Sequence, residues 1–163
     1  RAIEPELVDA GLSPLDVVSG FLMKTSARNA IRGNITNIVS DTLSAEVEVS
    51  VSPETTIYAL VTHASMEELG LCAGRSVTLL IKAPFIVIAT GKAAPKTSAR
   101  NCISGIVSRC ETSKVGAEVM LDIGAEKTLA SSITAYSARS LRLSPGKPVF
   151  AVFDAAHVIV AIN

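Results

Sequence analysis

The sequence predicts a mainly β protein: two tandem five-stranded β-barrels, a short helix in each, and a helical connector in front. Three observations carry this expectation. First, Lys24-Thr25-Ser26-Ala27-Arg28-Asn29 recurs as Lys96-Thr97-Ser98-Ala99-Arg100-Asn101, and the same offset then holds without a gap to the end. Gly33 pairs with Gly105, Ala45-Glu46-Val47 with Ala117-Glu118-Val119, Thr62 with Thr134, Ser65 with Ser137 and Gly74 with Gly146. Roughly 20 of about 65 paired positions are identical, which marks two copies of one structural unit. Second, each copy is dominated by alternating or β-branched runs such as Ala45-Glu46-Val47-Glu48-Val49 and Ile57-Tyr58-Ala59-Leu60-Val61. Third, one short helical signal falls between the third and fourth of these runs. The period exceeds that of a solenoid repeat, so each copy is expected to have its own core. Units this small are expected to pack on each other or on a second chain.

Residues 1–23 belong to neither copy and are read as an N-terminal helical connector. Ser13 caps, Pro14 takes the first helical position and Asp16 sits in the first turn. Leu15, Val18, Phe21 and Leu22 then make an apolar stripe. Repeat 1 spans 24–91, with strands near 30–39, 43–51, 55–62, 75–82 and 85–90. Ser52-Pro53-Glu54 is a turn. Ser65-Met66-Glu67-Glu68-Leu69-Gly70 is the short helix, with Ser65 as a possible cap and Gly70 as its end. Repeat 2 spans 96–163 on the same scheme, with its helix near 137–141. Gly91-Lys92-Ala93-Ala94-Pro95-Lys96 links the two. Five strands with a helix between the third and fourth is the element order of an OB-type barrel.

Composition excludes several function classes. Fifteen Lys and Arg balance fifteen Asp and Glu, against the basic surplus that a general nucleic-acid binder needs. Aromatics make up only 4%, so a base-stacking platform is poorly supplied. Mean hydropathy is +0.44, which argues against disorder, yet no apolar run reaches the ~20 residues of a membrane span. Cys72, Cys102 and Cys110 are odd in number and lack a Cys-x-x-Cys spacing, which points to a reducing cytoplasm, with the thiols filling space. The chain has no signal peptide and starts at Arg1, so it is expected to be a fragment that has lost its N-terminal part. No Gly-x-Ser-x-Gly elbow or P-loop is present, so no enzyme activity is expected. His63 and His157 lack a metal-site arrangement and are expected at the surface or in packing.

The repeated stretch carries the chemistry. Thr-Ser-Ala-Arg-Asn places two hydroxyls, an amide and a permanent cation within five residues, with Ala leaving the backbone open. These are the donors that an oxyanion needs. Thr62 and Ser65, at the entry to the short helix, add hydroxyls. Lys82, in Leu80-Ile81-Lys82-Ala83-Pro84-Phe85, stands in an apolar setting and is expected to have an anionic partner. Such residues also close turns or pair with nearby acids. A turn does not demand identical residues, however, and the pentapeptide is repeated verbatim.

Ser-Ala-Arg-Asn opening a five-stranded unit, followed by Leu-Gly-Leu-x-x-Gly and Lys-Ala-Pro-aromatic, resembles the molybdate-binding Mop repeat, over residues 25–163. Tandem Mop pairs occur in cytoplasmic molybdate-storage proteins, the molbindins, and in the effector-binding region of ModE-type transcription regulators. Some molybdate-transporter ATPases also end in such repeats. Residues 1–23 resemble the join between a DNA-binding domain and the pair in a regulator, with that domain absent here. The resemblance implies molybdate or tungstate bound between the subunits of a homodimer, without a metal cation. It implies Ser26, Arg28, Thr62, Ser65, Lys82 and Ala83 as the primary ligand set, supported by Thr25, Ala27 and Asn29. Thr62 and Ser65 would come from the facing unit. The function implied is molybdate sensing that controls transcription, with molbindin-like storage as the alternative.

Repeat 2 departs from the pattern, because Asp154 stands where repeat 1 has Lys82. It would repel a dianion unless paired with Arg100 or another cation. Ser98, Arg100, Thr134 and Ser137 are therefore expected to form a weaker second site or none.

Overall fold

The computed structural model describes residues 25–163, so the connector expected over 1–23 lies outside the described residues. Repeat 1 contributes β1 (Asn29–Ser40), β2 (Ser44–Ser52), β3 (Thr55–Thr62), α1 (His63–Leu69), β4 (Ser76–Ile81), a 3-10 turn (Ala83–Phe85) and β5 (Val87–Ala89). Repeat 2 contributes β6 (Asn101–Thr112), β7 (Gly116–Asp122), β8 (Thr128–Thr134), α2 (Ala135–Ser140), β9 (Pro148–Phe153), a second 3-10 turn (Ala155–His157) and β10 (Ile159–Ala161). The fold is the expected one: mainly β, with two OB-like five-stranded sheets and a short helix in each repeat.

Alternation drives the strands. In β2, Ala45, Val47, Val49 and Val51 are buried while the residues between them are half-exposed, as a one-faced strand requires. β7 repeats this with Ala117, Val119 and Leu121. The β1–β2 turn is tied by Asp41, whose carboxylate accepts from the N–H groups of Leu43 and Ser44, at 2.9 and 2.8 Å. Those N–H groups, Ser44 foremost, hold the Asp41 carboxyl below its ordinary value. Thr62, not Ser65, caps α1: its hydroxyl accepts from the Ser65 N–H. Gly70 closes the helix in the left-handed region, as its position in the sequence suggested. The 3-10 turns were not foreseen. Pro84 in the first turn and the Asp154 cap on the second are their local causes.

The expectation of two self-contained units fails at the fifth strand. The two sheets run β10-β4-β1-β2-β3 and β5-β9-β6-β7-β8, so the repeats exchange their last strands. Ile159 pairs with Leu80 and Val160 with Leu79, while Val87 pairs with Val152 and Ile88 with Ala151. The exchange has a local origin. The first 3-10 turn packs on β8 and the second on β3, delivering the following strand to the other sheet. The turns meet where Phe85 stacks on His157, with ring centroids 4.1 Å apart. Ile86, Ile88, Val158 and Val160 accordingly join one continuous apolar core with residues of both repeats. Two short units that each bury little surface thereby share a larger core.

Gly33 lies where β1 leaves β4 and begins to pair with β2. A Cβ there would stand 2.6 Å from Val49 Cγ1 and 2.7 Å from the Ser50 carbonyl oxygen. At Gly105 the nearest atom, the Asp122 carbonyl oxygen, is 3.0 Å away. Gly33→Ala is therefore expected to cost about 1–3 kcal/mol of stability, and Gly105→Ala less, read as the shift in denaturant midpoint at constant slope. Equal shifts would contradict the closer approach at Gly33.

Candidate oxyanion site

Asn29 opens β1 opposite Ile81, the last residue of β4. One step beyond that pair, Arg28 and Lys82 stand opposite each other. Like charges in facing positions are unfavourable without an anion between or beside them. Lys82 is exposed rather than enclosed by its apolar neighbours in the sequence, and makes no ion pair among the described residues. Ala83 is buried at the start of the 3-10 turn beside it. Ser26 is exposed in the stretch leading to β1, and the Thr25 hydroxyl accepts from the Ala27 N–H at 3.0 Å, which fixes the bend before the strand. A cleft of about 510 Å³ runs past Arg28, Ala83 and Pro84, with Glu111, Glu118 and Ser132 of repeat 2 on its other wall.

Arg28 pairs with Glu118, through Nη1 and one carboxylate oxygen. Its side chain stays 53% exposed, so other N–H groups remain available to a ligand. Asn29, expected to support the anion, has a different task. Its amide donates to the carbonyls of Ile81 (3.1 Å) and Ala130 (2.9 Å) and accepts from the Ala130 N–H (2.7 Å). The residue is buried and its polar atoms are engaged, so it joins the first repeat to β8. Ser131 adds a buried bond to the Ile86 carbonyl, at 2.6 Å.

The second corner has the same frame and different charges. Asn101 clamps β3 through the N–H and carbonyl of Tyr58, at 2.8 and 2.9 Å. Asn101 faces Phe153 in register, so Arg100 faces Asp154 one step beyond. Arg100 does not pair with Asp154. Its Nε and Nη2 reach Glu46 at 3.4 Å, and its guanidinium lies over the Tyr58 ring at 3.6 Å. Asp154 instead accepts from the Ala156 N–H, capping the 3-10 turn. Two cations, Arg28 and Lys82, stand at the first corner with Glu118, and Glu111 lines the same cleft; one cation and two carboxylates meet at the second. The first corner is therefore the less negative of the two, where a dianion meets less repulsion.

The hydroxyl pairs divide the other way. Thr62 and Ser65 lie two and five residues beyond Leu60, the register partner of Glu46, so within this chain they belong to the Arg100 corner. Thr134 and Ser137 follow Ser132, the partner of Glu118, toward the Arg28 corner. Each pair is internally bonded, with hydroxyl oxygens 2.9 and 3.0 Å apart and the Thr oxygen capping its helix. The structure thus brings together Arg28, Lys82 and Ala83, and does not bring Thr62 and Ser65 to them within one chain. Ser98 is exposed beside Arg100, as Ser26 is beside Arg28. Glu46, Glu118 and Tyr58 were missed as neighbours of the arginines. The Ala-Glu-Val tripeptide, identical in both copies, was the available signal.

A TOBE domain model matches residues 25–88 and again 97–160. The chain belongs to the TOBE domain family. Each TOBE match, followed along the sequence, runs into the strand that its partner repeat receives in space. Molybdenum-pterin-binding protein MopA of Rhodobacter capsulatus is 37% identical over 155 residues, covering 95% of this chain and 58% of that protein. The DNA-binding transcriptional dual regulator ModE of Escherichia coli (strain K12) is 33% identical over 150 residues, covering 91% of this chain and 56% of the regulator. The chain thus spans little more than half the length of these relatives. The crystal structure of the cytoplasmic molybdate-binding protein ModG with molybdate bound matches this TOBE pair with a TM-score of 0.82 at 33% identity, covering 86% of this chain and 100% of that one.

The remaining candidates carry no site. Among the described residues no group of three His, Cys, Asp or Glu could hold a metal ion. His63 lies 3.4 Å from Glu67 on α1, and His157 stacks on Phe85. Cys72 and Cys102 are exposed rather than space-filling, a correction to the sequence reading; Cys110 is half-buried, and burial pushes its thiol up. No helix among the described residues is long and apolar enough to cross a membrane.

Proposed function

We propose that this TOBE pair binds molybdate or tungstate and serves as the effector-binding region of a molybdate-responsive transcription regulator. The observation that carries the anion is the pair of cations Arg28 and Lys82, which the β1–β4 register sets opposite each other. Ser26 and the backbone at Ala83 complete the near wall. Thr62 and Ser65 act from a second copy of the chain, because within one chain they lie at the other corner. A cytoplasmic homodimer then holds the anion where its subunits meet, and the anion favours one subunit arrangement through contacts across that interface. Ser98, Arg100, Thr134 and Ser137 do not form an equivalent site, since Glu46 and Asp154 outnumber the single arginine there. The domains act as a connector over 1–23 and repeats over 24–91 and 96–163. DNA contact belongs to a further domain.

Sensing is supported by the match to the E. coli regulator, 33% identical over 91% of this chain. Storage without signalling is supported by the match to ModG along that protein's whole length. Isothermal titration with molybdate, tungstate and sulfate, beside a light-scattering mass, separates them. Molybdate and tungstate are expected to bind alike and sulfate poorly, because it is smaller. A dimer holding two anions supports the sensor, and a larger assembly holding more supports storage. Absence of molybdate binding, or equal displacement by sulfate, overturns the proposed site.

A further inference from the structure

We propose that Glu118 is a built-in competitor for Arg28, a carboxylate from repeat 2 that lowers the affinity of the first corner for its anion. The inference rests on the oxyanion reading above. It begins from how differently the two equivalent arginines are held. Arg100 presents Nε and Nη2 to Glu46 and lays its ring face on Tyr58. Position 130, the counterpart of Tyr58, is Ala in repeat 2, so Arg28 has no ring to lie on. Arg28 touches its carboxylate through Nη1. The Glu118 oxygen that meets Arg28 is itself buried, but the two side chains are 42% and 53% exposed overall, so Arg28 keeps room to move and other N–H groups face outward.

The geometry points to competition rather than support. An anion using the remaining N–H groups of Arg28 would share one guanidinium with Glu118. Groups on two sides of a guanidinium are roughly 5–6 Å apart, where one carboxylate facing a dianion in a near-aqueous dielectric costs about a factor of ten in affinity. An anion that takes Nη1 as well must first displace Glu118, with the same sign of effect. Lys82, opposite Arg28, makes no ion pair among the described residues and stays available to the anion, while Glu111 on the same cleft is paired with Arg109. The site therefore attracts a dianion but fills at a higher concentration than its two cations alone would set. The competing group comes from the repeat that has lost its own site. This gives the second copy a part in the ligand affinity of the first.

The test is calorimetric titration of the full chain with sodium molybdate, on wild type, Glu118→Gln and, as a control for net charge, Glu54→Gln at the distant β2–β3 turn. Glu118→Gln keeps an acceptor for Nη1 and removes the charge. Its affinity is expected to rise about tenfold, with Glu54→Gln unchanged. Equal or weaker affinity in Glu118→Gln, with an unchanged melting temperature, overturns the competitor role. So does an equal rise in the Glu54 variant. Where Glu118→Gln fails to fold, Glu118→Asp withdraws the carboxylate by one methylene and is expected to tighten binding by a smaller factor; no gain there overturns the proposal. Silence of wild type and variant alike rejects the molybdate reading itself, a result distinct from binding that ignores Glu118.

Discussion

Removal of residues 158–163 is expected to unfold the sheet of the first repeat before that of the second. These residues supply β10, which pairs with β4 through Ile159–Leu80, Val160–Leu79 and Ala161–Thr78. Val158 and Val160 are 3% and 6% exposed within the shared core. Losing two such buried valines costs about 3–6 kcal/mol before any void is counted. That is of the order of a domain's whole margin of about 5–15 kcal/mol. The sheet of β6 and β9 keeps β5 and should resist longer. Native-state hydrogen exchange reads the outcome. Amides of Leu79 and Leu80 are expected to lose protection first, and earlier loss at Ala151 and Val152 would show that the exchanged strands do not stabilise the sheets they join.

Arg28→Ala is expected to weaken molybdate binding about 10- to 100-fold, roughly the 1.5–3 kcal/mol of a hydrogen bond to a charged group. The change also leaves Lys82 as the one cation at a corner that holds Glu118 and Glu111, so the corner becomes net acidic. Arg100→Ala should change the affinity little, because Arg100 is already occupied by Glu46 and Tyr58 beside an Asp. Its effect should fall on stability instead. The measurement is the same titration, run on both variants with a thermal melt. The reverse ranking would move the main site to the second repeat.

Much of the fold was legible because the strands are amphipathic and the copies keep one register. β2 and β7 announce themselves by alternation, and Gly70 marks the end of α1. Which sheet receives Val87–Ala89 could not be read, since three apolar residues after a turn pair equally well with either β4 or β9. The destination depends on where the 3-10 turn packs, and that is set by β8, more than forty residues away in sequence. The site was legible in part for the same reason. Arg28 and Lys82 were singled out by residue type. That they face each other follows from the β1–β4 register, and that Thr62 lies elsewhere follows from the β2–β3 register. The task of the Asn29 side chain was hidden because an amide beside a cation suits an anion and a backbone equally well; its three buried bonds commit that side chain to the backbone.

The two amides have a consequence for the ancestry of the molecule. Asn29 holds a strand of the second half and Asn101 a strand of the first, so each half reads the other's main chain and not its side chains. Side chains on β3 and β8 are thereby free to diverge, as Tyr58 and Ala130 have, while the asparagines themselves stay fixed. Once each copy had lent its last strand and its asparagine to its twin, neither could be inherited alone.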